Sequence, residues 1–225
     1  MEKGKLIAIE GTDCSGKQTQ TELLIKRMRN EGKHVQNFSF PNYNSPTGKI
    51  IGGPYLGKQQ IGPCYFEEGS VNVDPKVASL YYAADRKYNI DKINLLLENG
   101  YNVILDRYIY SNMAHQGGKI LDKNQRNEMY NWLDKLEFDL MDLPKPDITI
   151  FLHMPLEVAT ILKQNREEPA DGHEKSKEHL KNAETAYLEL AERYNFKTIE
   201  CAKNGKPKTI EEINDEIYNI LNNDK

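Results

Sequence analysis

Short apolar runs alternate along this chain with longer segments whose apolar residues recur every three or four positions. The first run, Leu6-Ile7-Ala8-Ile9, is branched and uninterrupted, as a strand buried on both faces requires. It breaks at Gly11 and gives way to a helical pattern with Leu23, Leu24 and Met28, which Gly32 ends. A second strand is expected over 34–40, closing on Phe40-Pro41-Asn42-Tyr43. Residues 47–56 suggest a short helix weakened by Gly52-Gly53-Pro54, and 57–73 a loop that includes Tyr65 and Phe66. Asp74 as cap and Pro75 as first residue open the longest helix. Its expected buried stripe is Val77, Leu80, Tyr81, Ala84, Tyr88, Ile93, Leu96 and Leu97, and Asn99-Gly100 stops it. A third strand over 102–105 ends in Asp106-Arg107-Tyr108. An amphipathic helix follows over 123–141 through Met129, Trp132, Leu133, Leu136 and Leu140. The fourth strand spans 148–152, and Pro155 opens a helix carrying Val158, Ile161 and Leu162. A helix near 176–193, a strand near 197–199 and a last helix complete the chain. The last helix carries the capping box Thr209-x-x-Glu212 and Ile210, Ile213, Ile217, Ile220 and Leu221 at helical spacing. Five strands alternating with helices predict an α/β fold, a parallel sheet covered by helices on both faces.

One segment has almost no apolar content. Residues 163–177, KQNREEPADGHEKSK, turn at Pro169-Ala170-Asp171-Gly172. So charged a stretch between two helices is a solvated loop or a mobile lid. The lid is favoured if phosphates lie beneath it, because phosphoryl transfer must exclude water.

That condition is met at the first strand. The order strand, Gly11-Thr12-Asp13-Cys14-Ser15-Gly16-Lys17, helix is the context of a phosphate-binding loop. Gly11 and Gly16 let backbone N–H groups turn inward around an anion, the helix start adds its positive dipole end, and Lys17 adds a point charge. One position departs from the pattern GxxxxGK[ST]: Gln18 stands where a hydroxyl would face magnesium, and Thr19 comes one residue late, about 100° further round the helix.

Other candidates gather at the predicted C-terminal ends of the strands, where an open α/β sheet binds its ligand. Asp106 is where a magnesium-linked carboxylate is expected, and Arg107 beside it can fork onto a phosphate. Phe40, Pro41 and Tyr43 follow the second strand, with core packing an equal reading for Phe40 and a surface loop for Tyr43. Tyr82 and Arg86 share a helix face, so a ring and a guanidinium could hold a base together. Ser111, Asn112 and His115 follow at near-helical spacing, and an Asn can read a base edge.

Composition narrows the partners. At 225 residues the chain can bury one substantial core, and a net charge of −4 with dispersed basic residues points to a small-molecule substrate rather than nucleic acid. No apolar stretch approaches the ~18 residues of a membrane helix, and no signal-peptide pattern opens the chain. Cys14, Cys64 and Cys201 stand far apart without a C-x-x-C, which suits a reducing cytoplasm.

Taken together, IEGTDxSGKxTQ, FPNY, the helix ending AADR, DRYIYSNMAHQGGKI, LPKPDITIFLHMP and DGHEKS resemble the thymidylate kinase family across nearly the whole chain. The resemblance implies a single P-loop kinase domain over 1–225, three-layered, with a short lid at about 163–177. It implies transfer of the γ-phosphoryl of ATP to dTMP, giving dTDP and ADP on the route to dTTP, with Mg2+ and a homodimer packed through helices that include the Tyr82 helix. ATP would lie on residues 11–19: Gly11, Thr12, Asp13, Cys14, Ser15, Gly16, Lys17, Gln18 and Thr19. Lys17 would bridge the moving phosphoryl, and Asp13 would contact the sugar 3′-hydroxyl. Tyr82, where the family more often has Phe, would stack on thymine, with Phe40 nearby. Arg86 would bond the base carbonyl and Asn112 its N–H edge, while Arg107 and Tyr43 would hold the acceptor phosphate. His115 falls where many bacterial members have a Tyr that crowds out a ribose 2′-hydroxyl, and Asp171 and Glu174 match an acidic pair near the sugar. Members without a basic residue in the phosphate loop place an arginine in the lid, which here is Arg166, one turn after Lys163. Magnesium would then lean on Asp106 through water.

Three other readings stand against this one. Another kinase of the same fold would act on a different deoxynucleotide or on a deoxynucleoside; DRY, where deoxynucleoside kinases carry Glu-x-x-Arg, together with Asn112 stands against it. A guanine-nucleotide switch would need an Asn-Lys-x-Asp motif, which is absent from the sequence. A catalytically inactive nucleotide-binding module has Gln18 as its only support.

Overall fold

The computed structural model describes residues 2–163 and 176–223. Among the described residues, β1 (Leu6–Gly11), β2 (Val35–Ser39), β3 (Asn102–Asp106), β4 (Ile148–His153) and β5 (Lys197–Glu200) form one parallel sheet in the order β2-β3-β1-β4-β5. The central strand β1 is buried along its whole length, which is why its run is continuously apolar up to Glu10. Helices α1 (Lys17–Asn30), α6 (Leu156–Lys163) and α8 (Ile210–Asn223) pack on one face, against Ile7, Ile9, Ile104, Ile150 and Leu152. The other face, through Leu6, Ala8, Val103, Leu105 and Phe151, meets α3 (Pro75–Glu98), α4 (Ile109–Gly117), α5 (Lys123–Asp134) and α7 (Lys177–Arg193). The three-layer α/β expectation holds.

Register sets the site. Ile9 lies opposite Asp106 on one side and Ile150 on the other, and Gly11 lies opposite Leu152. The loops leaving β1, β3 and β4 therefore start side by side at one edge of the sheet. The expected caps are present. Asp74 accepts from the N–H groups of Lys76 and Val77, and Thr209 and Glu212 satisfy each other's backbone N–H reciprocally.

Several expectations are corrected. In α3 the C-terminal part of the expected stripe holds, with Ile93 and Leu97 buried beside Ile90, but the first part turns polar groups inward: Asp85, Arg86 and Asn89 are buried, while Val77, Leu80, Ala84, Tyr88 and Leu95 face outward. The inward polar groups are satisfied. Asp85 accepts from the Asn42 N–H at 2.8 Å and from the Ser45 and Thr47 hydroxyls at 2.8 and 2.7 Å. Hydrophobic periodicity located the helix and the packed end of its stripe but not the polar inward positions, because specific partners offset the cost of burying those groups. The helix expected over 47–56 begins as α2 (Pro46–Ile50), capped by Ser45, and runs on as a π-helical turn over Ile51–Tyr55. The helix expected over 123–141 is α5 followed by a π-helical segment, Lys135–Leu140. That widened turn shifts the phase, so Glu137 and Phe138 point inward and Leu140 outward. Ile161 and Ile210 are also exposed, and Leu23 borders on exposure. A small hairpin, β6 (Ala202–Lys203) and β7 (Lys206–Pro207), was not anticipated, although its Asn204-Gly205 turn at positive φ is a strong hairpin signal.

The loop over 57–73 is fastened at its far end. The Tyr55 hydroxyl donates to the Ser70 carbonyl at 3.0 Å, and the Lys119 ammonium donates to the Ser70 and Val73 carbonyls at 3.0 and 2.9 Å. The ring of Tyr55 in turn meets the Tyr82 ring edge-on at 5.8 Å.

Two outcomes are expected. A Cβ on Gly48 would stand 1.8 Å from the Asn42 carbonyl oxygen, in the turn that follows the second strand. Gly48→Ala should cost on the order of 2–5 kcal/mol in urea denaturation. Gly32→Ala, whose Cβ meets nothing within 4 Å, should cost about 1 kcal/mol from its φ of 77° alone. Equal losses would contradict the close contact at Gly48.

The second outcome concerns pH. Burial lowers the Lys119 ammonium from 10.5 to about 8, and Lys17 to about 8 for the same leading reason. Between about pH 8 and 10 the unfolded chain keeps protons that the folded chain has released, so stability rises with pH. Above about pH 10 buried Tyr108 and Tyr187, held above their ordinary range by burial, keep protons the unfolded chain loses, and stability falls. The thermal midpoint should climb from pH 7.5 to 9.5, and Lys119→Met should flatten that climb. A midpoint that falls across this window in the unmodified protein would overturn the assignment.

Candidate active site

The loop between β1 and α1 folds as an anion cradle. Gly16 takes φ 77°, and Cys14, with φ 56°, sits in the left-handed region that non-glycine residues rarely adopt. Gly11 has no room for a side chain, since a Cβ there would stand 2.6 Å from the Ser15 hydroxyl and 2.8 Å from the Leu152 carbonyl oxygen. The Thr12 hydroxyl donates to the Met154 carbonyl at 2.8 Å and accepts from the Met154 N–H at 2.9 Å, pinning the loop to the end of β4. Lys17 is buried and folded onto the loop, donating to the carbonyls of Gly11 and Thr12 at 3.1 and 2.9 Å and to Ser15 at 3.4 Å. Gln18 and Thr19 are exposed on the first turn of α1, and the Gln18 amide donates to Glu22 at 3.1 Å. Neither offers a hydroxyl at the position beside Lys17 that the motif reserves for one.

Beside the loop lies a buried polar network. Glu10, fully buried, accepts from the backbone N–H groups of Tyr108 and Ser111 at 2.9 and 3.2 Å, from the Ser111 hydroxyl, and from the Tyr187 hydroxyl at 3.4 Å. Burial pushes its carboxyl above the usual carboxylate range, against the opposing pull of Ser111 and Arg107. Arg107 stands at φ 66° and donates to the Ser111 and Tyr187 hydroxyls at 3.3 and 3.2 Å. Its guanidinium lies 3.6 Å from the Asp13 carboxylate. Burial works against its charge, but Tyr187, Asp13, Asp106 and Glu10 outweigh it and hold Arg107 protonated. Asp106 ends β3 close enough to Lys17 to act on its charge.

Arg107 and Asp13 open into a cavity lined by residues from α3, α4 and α7 and from the segments that follow β1, β2 and β3. Phe40, Pro41, Tyr43, Leu56 and Tyr82 form its apolar and aromatic wall, and Arg86, Asn112 and His115 its polar one. Ten residues singled out from sequence, Asp13, Phe40, Pro41, Tyr43, Tyr82, Arg86, Arg107, Ser111, Asn112 and His115, thus line one space. Arg86 is engaged by Glu137 through two hydrogen bonds of 2.5 and 2.6 Å. The Asn112 amide donates to the Ser79 carbonyl and to Glu137, while its oxygen has no hydrogen-bond partner among the described residues. His115 pairs with His179 of α7, ring nitrogens 3.2 Å apart and rings stacked. A smaller cavity shares Asp13 and His115 with it and is also lined by Thr12, Ala159 and Glu184.

Sequence reading missed Glu10, Gln116, Glu137 and Tyr187. Gln116 lines the cavity with both amide atoms buried and unpartnered among the described residues. A helical phase count from Asn112 would have found it one turn on. Glu137 and Tyr187 come from distant elements, and no local pattern marks them. Arg166, Asp171 and Glu174 lie outside the described residues, as do residues 164–175 of the segment expected to form a lid.

Comparison with known proteins agrees with this geometry. The family model of thymidylate kinase matches residues 9–217. A thymidylate kinase of Prochlorococcus marinus is 34% identical over 224 residues, covering 98% of this chain and 99% of that one. A probable thymidylate kinase of Methanocaldococcus jannaschii is 33% identical, covering 96% and 95%. The solved structure of thymidylate kinase from Candida albicans superposes with a TM-score of 0.76 at 27% identity, covering 98% of this chain and 92% of its own. With a phosphate loop, a charged pocket beside it and a family match over nearly its whole length, the chain belongs to the thymidylate kinase family, the ATP-dependent kinases that phosphorylate dTMP.

Proposed function

We propose that the large cavity is the dTMP site and the loop over 11–19 the ATP site, so that the two nucleotides meet at Arg107 and Lys17. The observation that carries this is the set of groups lining one cavity. Tyr82, Phe40, Arg86 and Asn112 line it together with Asp13 and Arg107, which belong to the phosphate loop and its neighbour. A pyrimidine nucleoside monophosphate calls for this same set: a flat apolar face, a polar edge, a sugar and a phosphate. Thymine stacks on Tyr82, with Phe40 packed nearby, and presents its carbonyl to Arg86 and its N–H to Asn112. Gln116, buried beside them, adds a further polar contact. The acceptor phosphate lies against Arg107 and Tyr43, the sugar 3′-hydroxyl near Asp13, and the sugar's far side near His115 and the acidic pair Asp171 and Glu174.

Phosphoryl transfer asks the protein chiefly for alignment and positive charge. Arg107, held by three neighbours, keeps the attacking phosphate oxygen in line. Lys17 exchanges the Gly11 and Thr12 carbonyls for the donor's outer phosphate oxygens. Cys14 and Ser15 bring no charge to the loop, so Arg166 supplies it from the lid. Gln18 gives magnesium no hydroxyl, and the described residues hold no cluster of three metal-ligating side chains. They fit a magnesium ion carried by phosphate oxygens and held by Asp106 through water. When bound, magnesium neutralises charge on the donor phosphates.

The outward stripe of Val77, Leu80, Ala84, Tyr88 and Leu95 supports a homodimer packed through α3, the helix that also carries Tyr82 and Arg86. No described helix is long and apolar enough to cross a membrane, no disulfide joins the described cysteines, and the net charge is −4. These support a cytoplasmic enzyme with nucleotides rather than nucleic acid as partners.

ADP release with ATP and magnesium, measured across a panel of nucleoside monophosphates and thymidine, tests the reading. Turnover with dTMP is expected, whereas turnover with thymidine alone would move the acceptor phosphate out of the Arg107 end. Asn112→Ala should raise KM for dTMP by about tenfold or more with KM for ATP unchanged, and equal changes would remove its base-reading role. Arg166→Ala should lower kcat by roughly 10³-fold, and near-normal turnover would exclude it as the lid charge. Leu80→Glu should convert a dimer to a monomer in sedimentation analysis, and an unchanged dimer would place the interface elsewhere.

A further inference from the structure

Glu137 lies at the back of the acceptor pocket and meets two of its walls at once. Its carboxylate takes two hydrogen bonds from Arg86, at 2.5 and 2.6 Å, and one from the Asn112 amide nitrogen at 3.1 Å. All three residues are almost wholly buried. The second neighbour of the Asn112 amide is the Ser79 carbonyl, 3.3 Å away.

A carboxylate paired with arginine and a backbone carbonyl are both acceptors only. An amide between them has one orientation that works. The NH2 group must face Glu137 and Ser79, which leaves the oxygen for the remaining direction. That oxygen is buried and has no hydrogen-bond partner among the described residues, and Asn112 lines the pocket. An unpaired buried acceptor is costly until a donor meets it. Arg86, held on its other side by the same carboxylate, can offer the pocket only donors.

We infer that Glu137 is a positioning residue for base specificity: by holding the Asn112 amide nitrogen and the Arg86 guanidinium together, it makes the pocket present a fixed acceptor beside a fixed donor. This inference rests on the proposed dTMP site. The complementary edge is a ring N–H next to a carbonyl, as in thymine and uracil. Cytosine offers the inverse, a bare ring nitrogen next to an amino group, and would set lone pair against lone pair and N–H against N–H. Were the amide free to turn over, its NH2 could meet the cytosine ring nitrogen and half of the discrimination would disappear. The methyl group of thymine plays no part in this, so Glu137 sorts thymine and uracil from cytosine and leaves dUMP to the shape of the wall. The residue comes from the π-helical segment Lys135–Leu140, whose widened turn is what brings an acidic side chain inward there.

The experiment measures kcat/KM for dTMP and dCMP, with KM for ATP alongside, in the unmodified enzyme, Glu137→Gln and Glu137→Asp. Glutamine can donate as well as accept, and aspartate keeps the charge but is one methylene too short to hold both partners. In each folded variant the preference for dTMP over dCMP should fall by about tenfold or more, through KM of the acceptor, with KM for ATP unchanged. A folded variant that keeps the unmodified preference overturns the inference, and so does an equal rise in both KM values, which a merely structural role would give. Should both variants fail to fold, binding of 3-methyl-dTMP to the unmodified enzyme decides. Its loss of at least about tenfold relative to dTMP supports a fixed acceptor facing the base, and equal binding refutes it. The same probe separates the two levels of argument. If 3-methyl-dTMP is rejected but Glu137→Gln keeps its preference, Glu137 is not the positioning residue. If 3-methyl-dTMP binds as dTMP does, the base is not read at Asn112 and the pocket reading itself fails.

Discussion

A carboxylate without access to water stands at the end of the central strand, and the active-site edge is arranged around it. Glu10 would be an expensive residue to bury alone. It is tolerated because the N-terminus of α4 turns two backbone N–H groups toward it, and because Ser111 and Tyr187 bring hydroxyls from α4 and α7. The same two hydroxyls then hold Arg107. One buried charge thus joins the sheet to both helices and fixes the direction of the Arg107 guanidinium. Satisfying Glu10 and orienting Arg107 are one structural solution.

The pattern recurs deeper in the pocket. Arg86 and Glu137 form a second buried pair, and Asp85 holds the turn after β2 through a backbone N–H and two hydroxyls. Buried ion pairs add little net stability, since desolvation offsets much of their attraction. What they supply is orientation. A guanidinium held on two hydrogen bonds points one way, and an amide between two acceptors cannot turn over. In α3 the buried polar groups share the inward face with Ile90, Ile93 and Leu97, so the helix is anchored in the core at its C-terminal part and carries pocket side chains before it.

Strain is found where this edge needs it. Cys14 and Arg107 both occupy the left-handed region, at φ of 56° and 66°. Each costs on the order of 1–3 kcal/mol and persists because its surroundings leave no alternative. Cys14 lies within the turn that leads to Gly16, and Arg107 turns the chain from β3 into α4 with its side chain over the loop. Burial of Lys17 is the same kind of trade: the cost of desolvating its ammonium is offset by the Gly11 and Thr12 carbonyls it bonds.

The order of strands and helices, the phosphate loop, the caps at Asp74 and Thr209 and most of the cavity lining were legible in the amino-acid sequence. These depend on residues close together in the chain: a branched run, glycines in a turn, a ring and a guanidinium four positions apart. The polar inward positions of α3, Asp85, Arg86 and Asn89, were not legible, because hydrophobic periodicity assumes that polar groups face water, and here Asn42, Ser45, Thr47 and Glu137 satisfy them across long sequence separations. Nor were the two π-helical segments, which change the phase of the helix and so decide that Glu137 points in and Leu140 out. What the sequence determined by itself was the set of chemical groups and the edge of the sheet where they gather. Only the tertiary structure decided which of them are paired, and hence which way Arg107, Arg86 and Asn112 face, because orientation in a buried site is set by partners that the chain brings together only when it folds.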